Sequence, residues 1–153
     1  MQLLTFMLND IRFGIPVSDV ESIETPMRVV GVPEAPAHIR GIMNLHGEVI
    51  PVYSLADRFG YGERKIQNII VARMEGMKIG LEVERVDEIL EVQDRCVNPM
   101  PTIMNASQHC FNDVVSYHKE LIVMFDVSHL IPEAEREKIQ KLLKDRAAAP
   151  DKG

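Results

Sequence analysis

The sequence predicts an all-β fold with a C-terminal helix, built as two small barrels of about five short strands each. Residues 11–23 align without gaps on residues 77–89, with their glycines, valines and isoleucines in phase. Residues 46–55 align in the same way on residues 118–127. Because tight turns rather than long helical crossovers separate the apolar runs, small barrels are favoured over a parallel sheet. The chain is therefore predicted to contain two similar β modules.

The strands are predicted from runs of β-branched or alternating residues bounded by turn residues. In the first half these runs cover residues 2–8, 11–15, 28–30, 39–45 and 48–53. In the second half they cover residues 66–74, 77–83, 88–92, 110–115 and 121–126. Two proline-containing loops, residues 32–36 and 98–101, occupy equivalent places in the two modules.

Helical signals are few. Residues 18–21 have the spacing of a capping box, and Ser54 followed by Asp57 predicts one short helix that ends at Gly60. Pro132 opens the long helix, which is expected to reach about Arg146 with acidic residues early and basic residues late, as the helix dipole favours.

These elements predict a single domain over residues 1–146. Its two barrels are placed at roughly residues 11–65 and 66–131, and strand 2–8 is expected to pack with the second. The helix covers residues 132–146, and residues 147–153 are expected to form a frayed tail.

Composition excludes several classes of function. The chain has 153 residues, of which 46% are hydrophobic, and a formal net charge of −6. This acidic balance and the lack of a basic stripe argue against nucleic acid as the partner. No apolar run approaches the length of a membrane span, and the apolar start is too short for a signal peptide, so a cytoplasmic protein without membrane insertion is predicted. Cys96 and Cys110 are then expected to be free thiols.

Residues capable of catalysis or metal binding are present, but their spacing is unfavourable. The five histidines and two cysteines form no Cys-x-x-Cys or His-Glu-x-x-His motif. His109 and Cys110 are adjacent, which places them on opposite faces of a strand. No Gly-x-Ser-x-Gly elbow or phosphate-binding glycine loop occurs. The sequence therefore predicts no metal, no cofactor and no active site.

The most informative segment is residues 36–55. It predicts a strand, a tight turn at Leu45-His46-Gly47, a second strand that contains Pro51, and a capped helical turn. Histidine tolerates the positive φ that such a turn needs, and glycine adopts it freely.

This segment resembles the CheW-like chemotaxis adaptor family, and the resemblance covers nearly the whole chain. The residues that carry it are Phe13-Gly14-Ile15, Val20, Ile23, Arg40-Gly41, Asn44-Leu45 with Gly47, Ile50-Pro51-Val52, Phe59-Gly60, Gly80, Val86, residues 121–127 and Leu130. The resemblance implies two intertwined five-stranded barrels of the Src-homology-3 type. It also implies a non-catalytic adaptor that couples the cytoplasmic tip of chemoreceptors to the regulatory domain of a histidine kinase. Such a protein is expected to be recruited to membrane receptor arrays.

Three positions depart from the family pattern. His46 stands where the family has an arginine, so a permanent cation with five donors is replaced by an imidazole. Ser54 stands where the family often has aspartate, and residues 110–115 replace a glycine-rich approach to the last strand.

We expect one groove to receive a helical receptor hairpin as apolar anchors in a hydrophobic slot. Gly41 is expected to let the partner approach the backbone, whereas Val20 and Ile23 are equally compatible with an ordinary core role. The groove is predicted to be lined by Val20, Ile23, Gly41, Asn44, His46 and Gly47.

Two alternatives remain open at this point. One is a coupling protein of a chemotaxis-like array that controls pili or another output, which only the identity of the partner separates from the adaptor. The other is a small cytoplasmic enzyme that uses His46 or His118 as a base. Because these two histidines occupy equivalent points of the two modules, turn geometry explains them better than a shared site.

Overall fold

The computed structural model describes residues 1–99, 110–111 and 113–148, the last three without their side chains. Over these residues the protein is mostly β, with two sheets and a C-terminal helix. The strands are β1 (Gln2–Leu8), β2 (Ile11–Pro16), β3 (Val20–Glu24), β4 (Ile39–Leu45), β5 (Glu48–Ser54), β6 (Asn68–Met74), β7 (Met77–Val83), β8 (Arg85–Glu91), β9 (Val97–Pro99), β10 (Asp113–Tyr117) and β11 (Glu120–Met124). The α-helices are α1 (Leu55–Arg58) and α2 (Glu133–Ala148), and short 3₁₀ turns occur at Val17–Asp19, Asp94–Cys96 and Val127–His129.

The two sheets exchange strands between the halves of the sequence. One sheet has six strands in the order β8-β1-β2-β11-β10-β9, and the other has five in the order β3-β6-β7-β5-β4. Neighbouring strands are antiparallel except β2 with β11 and β5 with β7, which are parallel. These two parallel pairs join the halves. The two sheets therefore do not follow the predicted boundary between barrels at residue 65. One sheet has six strands, whereas each barrel was expected to have five.

The described residues form three apolar clusters in the core. The largest contains side chains of both sheets, among them Phe13 and Leu81, and therefore lies between them. Each sheet also has its own smaller cluster, one around Leu3 and the other around Ile69. Adjacent residues of one strand enter different clusters, as Leu3 and Leu4 do. Strands buried on both faces require nearly continuous apolar runs, which explains the weak alternation in β1 and β6.

The region between residues 17 and 30 differs from its prediction. The capping-box spacing at residues 18–21 predicted a helical turn, but only Val17–Asp19 is 3₁₀ and the strand Val20–Glu24 follows. This strand pairs with β6, which satisfies more backbone groups than an isolated turn can. The strand expected at residues 28–30 is reduced to a single bridge between Val30 and Ile42.

A bulge shapes the pairing of β1 with β8, and it explains a buried polar residue. The register shifts between Leu4 and Phe6. At that point the fully buried Thr5 hydroxyl donates to the carbonyl of Glu88 at 2.9 Å and accepts from the Glu88 N–H at 3.2 Å. The Thr5 side chain thus forms hydrogen bonds with two backbone groups that have no strand partner at the register shift.

The loop expected at residues 98–101 begins instead with strand β9, which pairs with β10, and residues 100–101 lie outside the described residues. The other differences concern ends of elements. β8 begins at Arg85 rather than at 88, and β10 covers Asp113–Tyr117 rather than 110–115. Ser54 caps α1 by accepting from the Asp57 N–H at 3.1 Å. α2 follows Pro132, and the tail beyond residue 148 lies outside the described residues.

Candidate functional site

The turn between β4 and β5 presents His46 on a fixed backbone. His46 has φ 52° and Gly47 has φ 88°, the pair of left-handed residues that a two-residue hairpin turn requires. The Asn44 Oδ1 atom accepts a hydrogen bond from the Gly47 N–H at 2.8 Å. His46 and Gly47 are exposed. Asn44 and Gly47 therefore shape the hairpin tip, and the side chains of both Asn44 and His46 are exposed there.

Gly41 is approached by the chain itself. The residue is buried, and a Cβ atom placed on it would lie 2.1 Å from the carbonyl oxygen of Val30. Val30 exchanges two backbone hydrogen bonds with Ile42, of 2.8 and 2.9 Å. The sequence led us to expect a partner at the Gly41 backbone, but residues 29–30 occupy that space. Gly41 is thus a positioning residue that holds this segment on β4.

Val20 and Ile23 lie apart from the hairpin. They belong to β3, and three strands separate β3 from β4 in the five-stranded sheet. Val20 packs partly buried against the core between the sheets. Ile23 is 43% exposed and pairs with Ile70, a member of that core. Because paired residues share a face, Ile23 extends the apolar face of the core to solvent at a sheet edge. We call Val20 and Ile23 the edge patch.

Four charged side chains connect the edge patch to the hairpin. Arg73 on β6 pairs with Glu21, and Lys78 on β7 lies 3.6 Å from Glu21 and 3.0 Å from Glu48. The hydrogen bond from Arg73 is the main reason that the pKa of Glu21 is lowered, and the hydrogen bond to Glu48 is the main reason that the pKa of Lys78 is raised. These ion pairs link β3, β6, β7 and β5 in that order.

A groove beside the hairpin was not predicted from the sequence. It has a volume of about 460 Å³ and is lined by Met27, Arg28, Val30, Ile42, Met43, Asn44 and Val49, which we call the hairpin groove. Val30 is 49% exposed there. Methionine side chains adapt to varied partner surfaces, so an apolar segment is a suitable occupant. The sequence signal was the β-branched pair Val29-Val30, which we interpreted only as a strand.

An ion pair between an exposed cation and a buried carboxylate joins β4 to β7. Arg40 donates a hydrogen bond to Glu82, whose side chain is only 5% exposed. Burial raises the pKa of Glu82, and Arg40 acts in the opposite direction. Nearby, the His38 Nδ1 and Asp57 Oδ2 atoms are 2.5 Å apart. Arg40 was identified from the family motif. Glu82 was not singled out, because it lies within the predicted strand 77–83.

The chain as a whole is similar to known proteins. Residues 2–135 match the CheW-like domain. The chain belongs to this family. A Chemotaxis protein CheW of Rhizobium meliloti (strain 1021) is 30% identical over 140 residues, which cover 89% of this chain and 90% of that protein. A Chemotaxis protein CheW of Bacillus subtilis (strain 168) is 24% identical over 150 residues, which cover 95% and 94%.

A solved structure agrees with the family. The scaffolding protein TtCheW from Thermoanaerobacter tengcongensis superposes with a TM-score of 0.80 at 26% identity, covering 88% of this chain and 94% of that one. The predicted fold class, mostly β with a C-terminal helix, is confirmed. The family consists of non-catalytic chemotaxis scaffolds, which confirms the predicted adaptor class and disfavours an enzyme that uses His46 or His118.

The other chemical groups support no different site. Among the described residues, no three His, Cys, Asp or Glu side chains lie where they could hold a metal ion. Cys96 and Cys110 are free thiols, and burial raises the pKa of Cys110 to about 11. His118 has φ 45° in the β10–β11 turn, so it serves there as a turn residue. No helix in the described part of the chain is long and apolar enough to cross a membrane.

Proposed function

We propose that this chain is the cytoplasmic adaptor of a chemotaxis array and couples the cytoplasmic tip of a chemoreceptor to the regulatory domain of a histidine kinase. The observation that carries the proposal is the match to the CheW-like domain over residues 2–135. The fold adds support, since exposed apolar residues border both edges of the five-stranded sheet. Such surfaces suit transient partners, because the exposed apolar residues are few and charged side chains lie near them.

The six residues expected at the interface take different roles in this proposal. Ile23 and His46 contact a partner directly, because both are exposed. Gly41, Asn44 and Gly47 act as positioning residues, since their contacts lie within the chain. Val20 packs against the core from the same strand as Ile23. A helical receptor hairpin that packs on the edge patch is the occupant that a helix-in-groove mode favours.

The test is a pull-down with two baits, a chemoreceptor cytoplasmic fragment and the regulatory domain of a chemotaxis kinase. The adaptor role requires binding to both baits and formation of a ternary complex. Binding to neither bait would remove the proposal. An adaptor of an array that controls pili or another output would have the same fold. The relatives are named as chemotaxis proteins, which favours the chemotaxis adaptor.

A further inference from the structure

A second groove follows helix α2 and adjoins the surface described above at Val49 and at the charged side chains of Glu48, Arg73 and Lys78. Two adjoining cavities, of about 350 and 620 Å³, share Gly76, Met77 and Leu143 and together form this α2 groove. One wall is α2 from Glu137 to Lys144, and the other includes the turn between β6 and β7. The two cavities meet at the three shared residues and are open to solvent, so a segment can reach both.

The walls of the α2 groove are fixed by the fold. Ile139 of α2 is fully buried in the core between the sheets. Arg136 lies 2.9 Å from Glu75, which ties the helix to the β6–β7 turn. Met77 and Leu143 are partly buried and pack against the same core, so they form an apolar floor. A preformed groove of this kind binds a segment without first ordering its own walls.

The charge of the α2 groove contrasts with the charge of the protein. Around the apolar floor stand four cations and two carboxylates, namely Arg73, Lys78, Lys141, Lys144, Glu48 and Glu137. The whole chain carries a formal charge of −6. Arg73 and Lys78 already pair with Glu21. Among the side chains that the structure describes, Lys141 and Lys144 form no ion pair, so their charge is available to a partner.

We infer that the α2 groove binds an acidic segment of a partner protein that carries a large apolar side chain. The apolar side chain lies on Met77 and Leu143, and carboxylates of the segment pair with Lys141 and Lys144. Charge complementarity selects this occupant, because a basic segment would face the unpaired Lys141 and Lys144, and a purely apolar one would leave both lysines without a partner. The site adds an interaction to those of the proposed adaptor and does not depend on which receptor or kinase binds elsewhere.

The test uses the full chain and two synthetic helical peptides that are rich in leucine. One carries glutamates and the other carries lysines at the same positions. We expect the acidic peptide to shift the backbone amide signals of Met77 and Leu143 in NMR titrations, and its affinity to fall as salt is added. Lys141→Glu with Lys144→Glu is expected to weaken binding about tenfold or more.

The control keeps the charge change and moves it away from the groove. Lys119→Glu with Lys138→Glu alters the β10–β11 turn and the side of α2 where Lys138 lies 3.5 Å from Glu135. This control is expected to bind like the unaltered protein. Absence of acidic-peptide binding, equal binding of the two peptides, or equal losses in both double variants would overturn the inference. Dimers that dissociate in Lys141→Glu with Lys144→Glu would also overturn it and assign the groove to a second copy of the chain.

Discussion

A Cβ atom on Gly41 would lie 2.1 Å from the carbonyl oxygen of Val30, closer than any side chain can approach a backbone oxygen. This contact is made where Val30 bridges to Ile42 and forms one wall of the hairpin groove. Because Gly41 has no side chain, Val30 can pack close to β4 and line the hairpin groove. The sequence suggested that Gly41 contacts a partner, but in the structure it contacts the Val30 backbone of the same chain.

Gly41→Ala is expected to lower the free energy of unfolding by about 1–3 kcal/mol, because the new methyl group must displace the Val30 backbone. Urea denaturation measures this loss. Gly31→Ala is the matched control, since a Cβ atom there meets nothing within 4 Å. Equal stability of the two variants would contradict the structural role of Gly41.

Thr5→Val is expected to destabilise the protein by about 1–3 kcal/mol, because it leaves two partly buried backbone groups of Glu88 without the Thr5 hydroxyl. Thr5→Ser retains the hydroxyl and is expected to recover most of the hydrogen-bonding contribution. Thermal and urea unfolding of the pair separate this effect from packing. A valine variant as stable as the serine variant would show that the hydroxyl is dispensable at the bulge.

Glu82 is expected to make stability fall as the pH rises. Burial raises its pKa above 4.5, so between the unfolded and folded pKa values the folded protein holds the proton more often. The free energy of unfolding then decreases as the pH rises through that window. Glu82→Gln is expected to remove this decrease, which urea unfolding at a series of pH values measures. A pH profile unchanged by the substitution would refute the prediction.

Arg40→Met tests the same pair from the other side. Arg40 lowers the pKa of Glu82, so its loss is expected to raise that pKa further and to extend the decline to higher pH. The variant should therefore be more destabilised at neutral pH than in acid. A uniform loss at all pH values would assign Arg40 a packing role only.

Ile23→Glu is expected to weaken binding of a receptor cytoplasmic fragment about tenfold or more, because it places a charge on an apolar anchor. Ile89→Glu is the control, since Ile89 is also an exposed isoleucine on an edge strand, but of the other sheet. Calorimetric titration of both variants measures the difference. Similar affinities would remove the edge patch from the interface.

His46→Arg is expected to strengthen binding to an acidic partner, because it places a permanent cation at the hairpin tip. His46→Asn is the matched neutral variant, and asparagine tolerates the positive φ of this turn. The gain in affinity of His46→Arg is expected to shrink as salt is added, which identifies it as electrostatic. If both variants bind equally, the tip makes no charged contact.

The sequence predicted those parts of the fold that local patterns determine. The hairpin around His46 and Gly47 was predicted because a tight turn between two apolar strands leaves few alternatives. Strand β3 was missed, because Val20 and Ile23 have the spacing of a helix face and only pairing with β6 makes them extended. Propensity is weak where a distant strand supplies the hydrogen bonds.

The site was predicted less completely than the fold, for the same reason. Asn44 and Gly47 are neighbours in sequence, and the structure brings them together. The distance between Ile23 and the hairpin depends on strand order, which no local pattern contains. The hairpin groove and the Arg40 pair with Glu82 arise from contacts between residues far apart in sequence.

The two parallel strand pairs, β2 with β11 and β5 with β7, also determine how the protein must fold. The six-stranded sheet is complete only when β8 to β11 have met β1 and β2, so the nascent chain holds that sheet unfinished until synthesis is nearly over. The five-stranded sheet needs only β3 to β7. Such long-range pairing slows folding and makes it cooperative. A fragment cut near residue 65 would expose unpaired strand edges, and its activity would return only by reassociation with the other fragment.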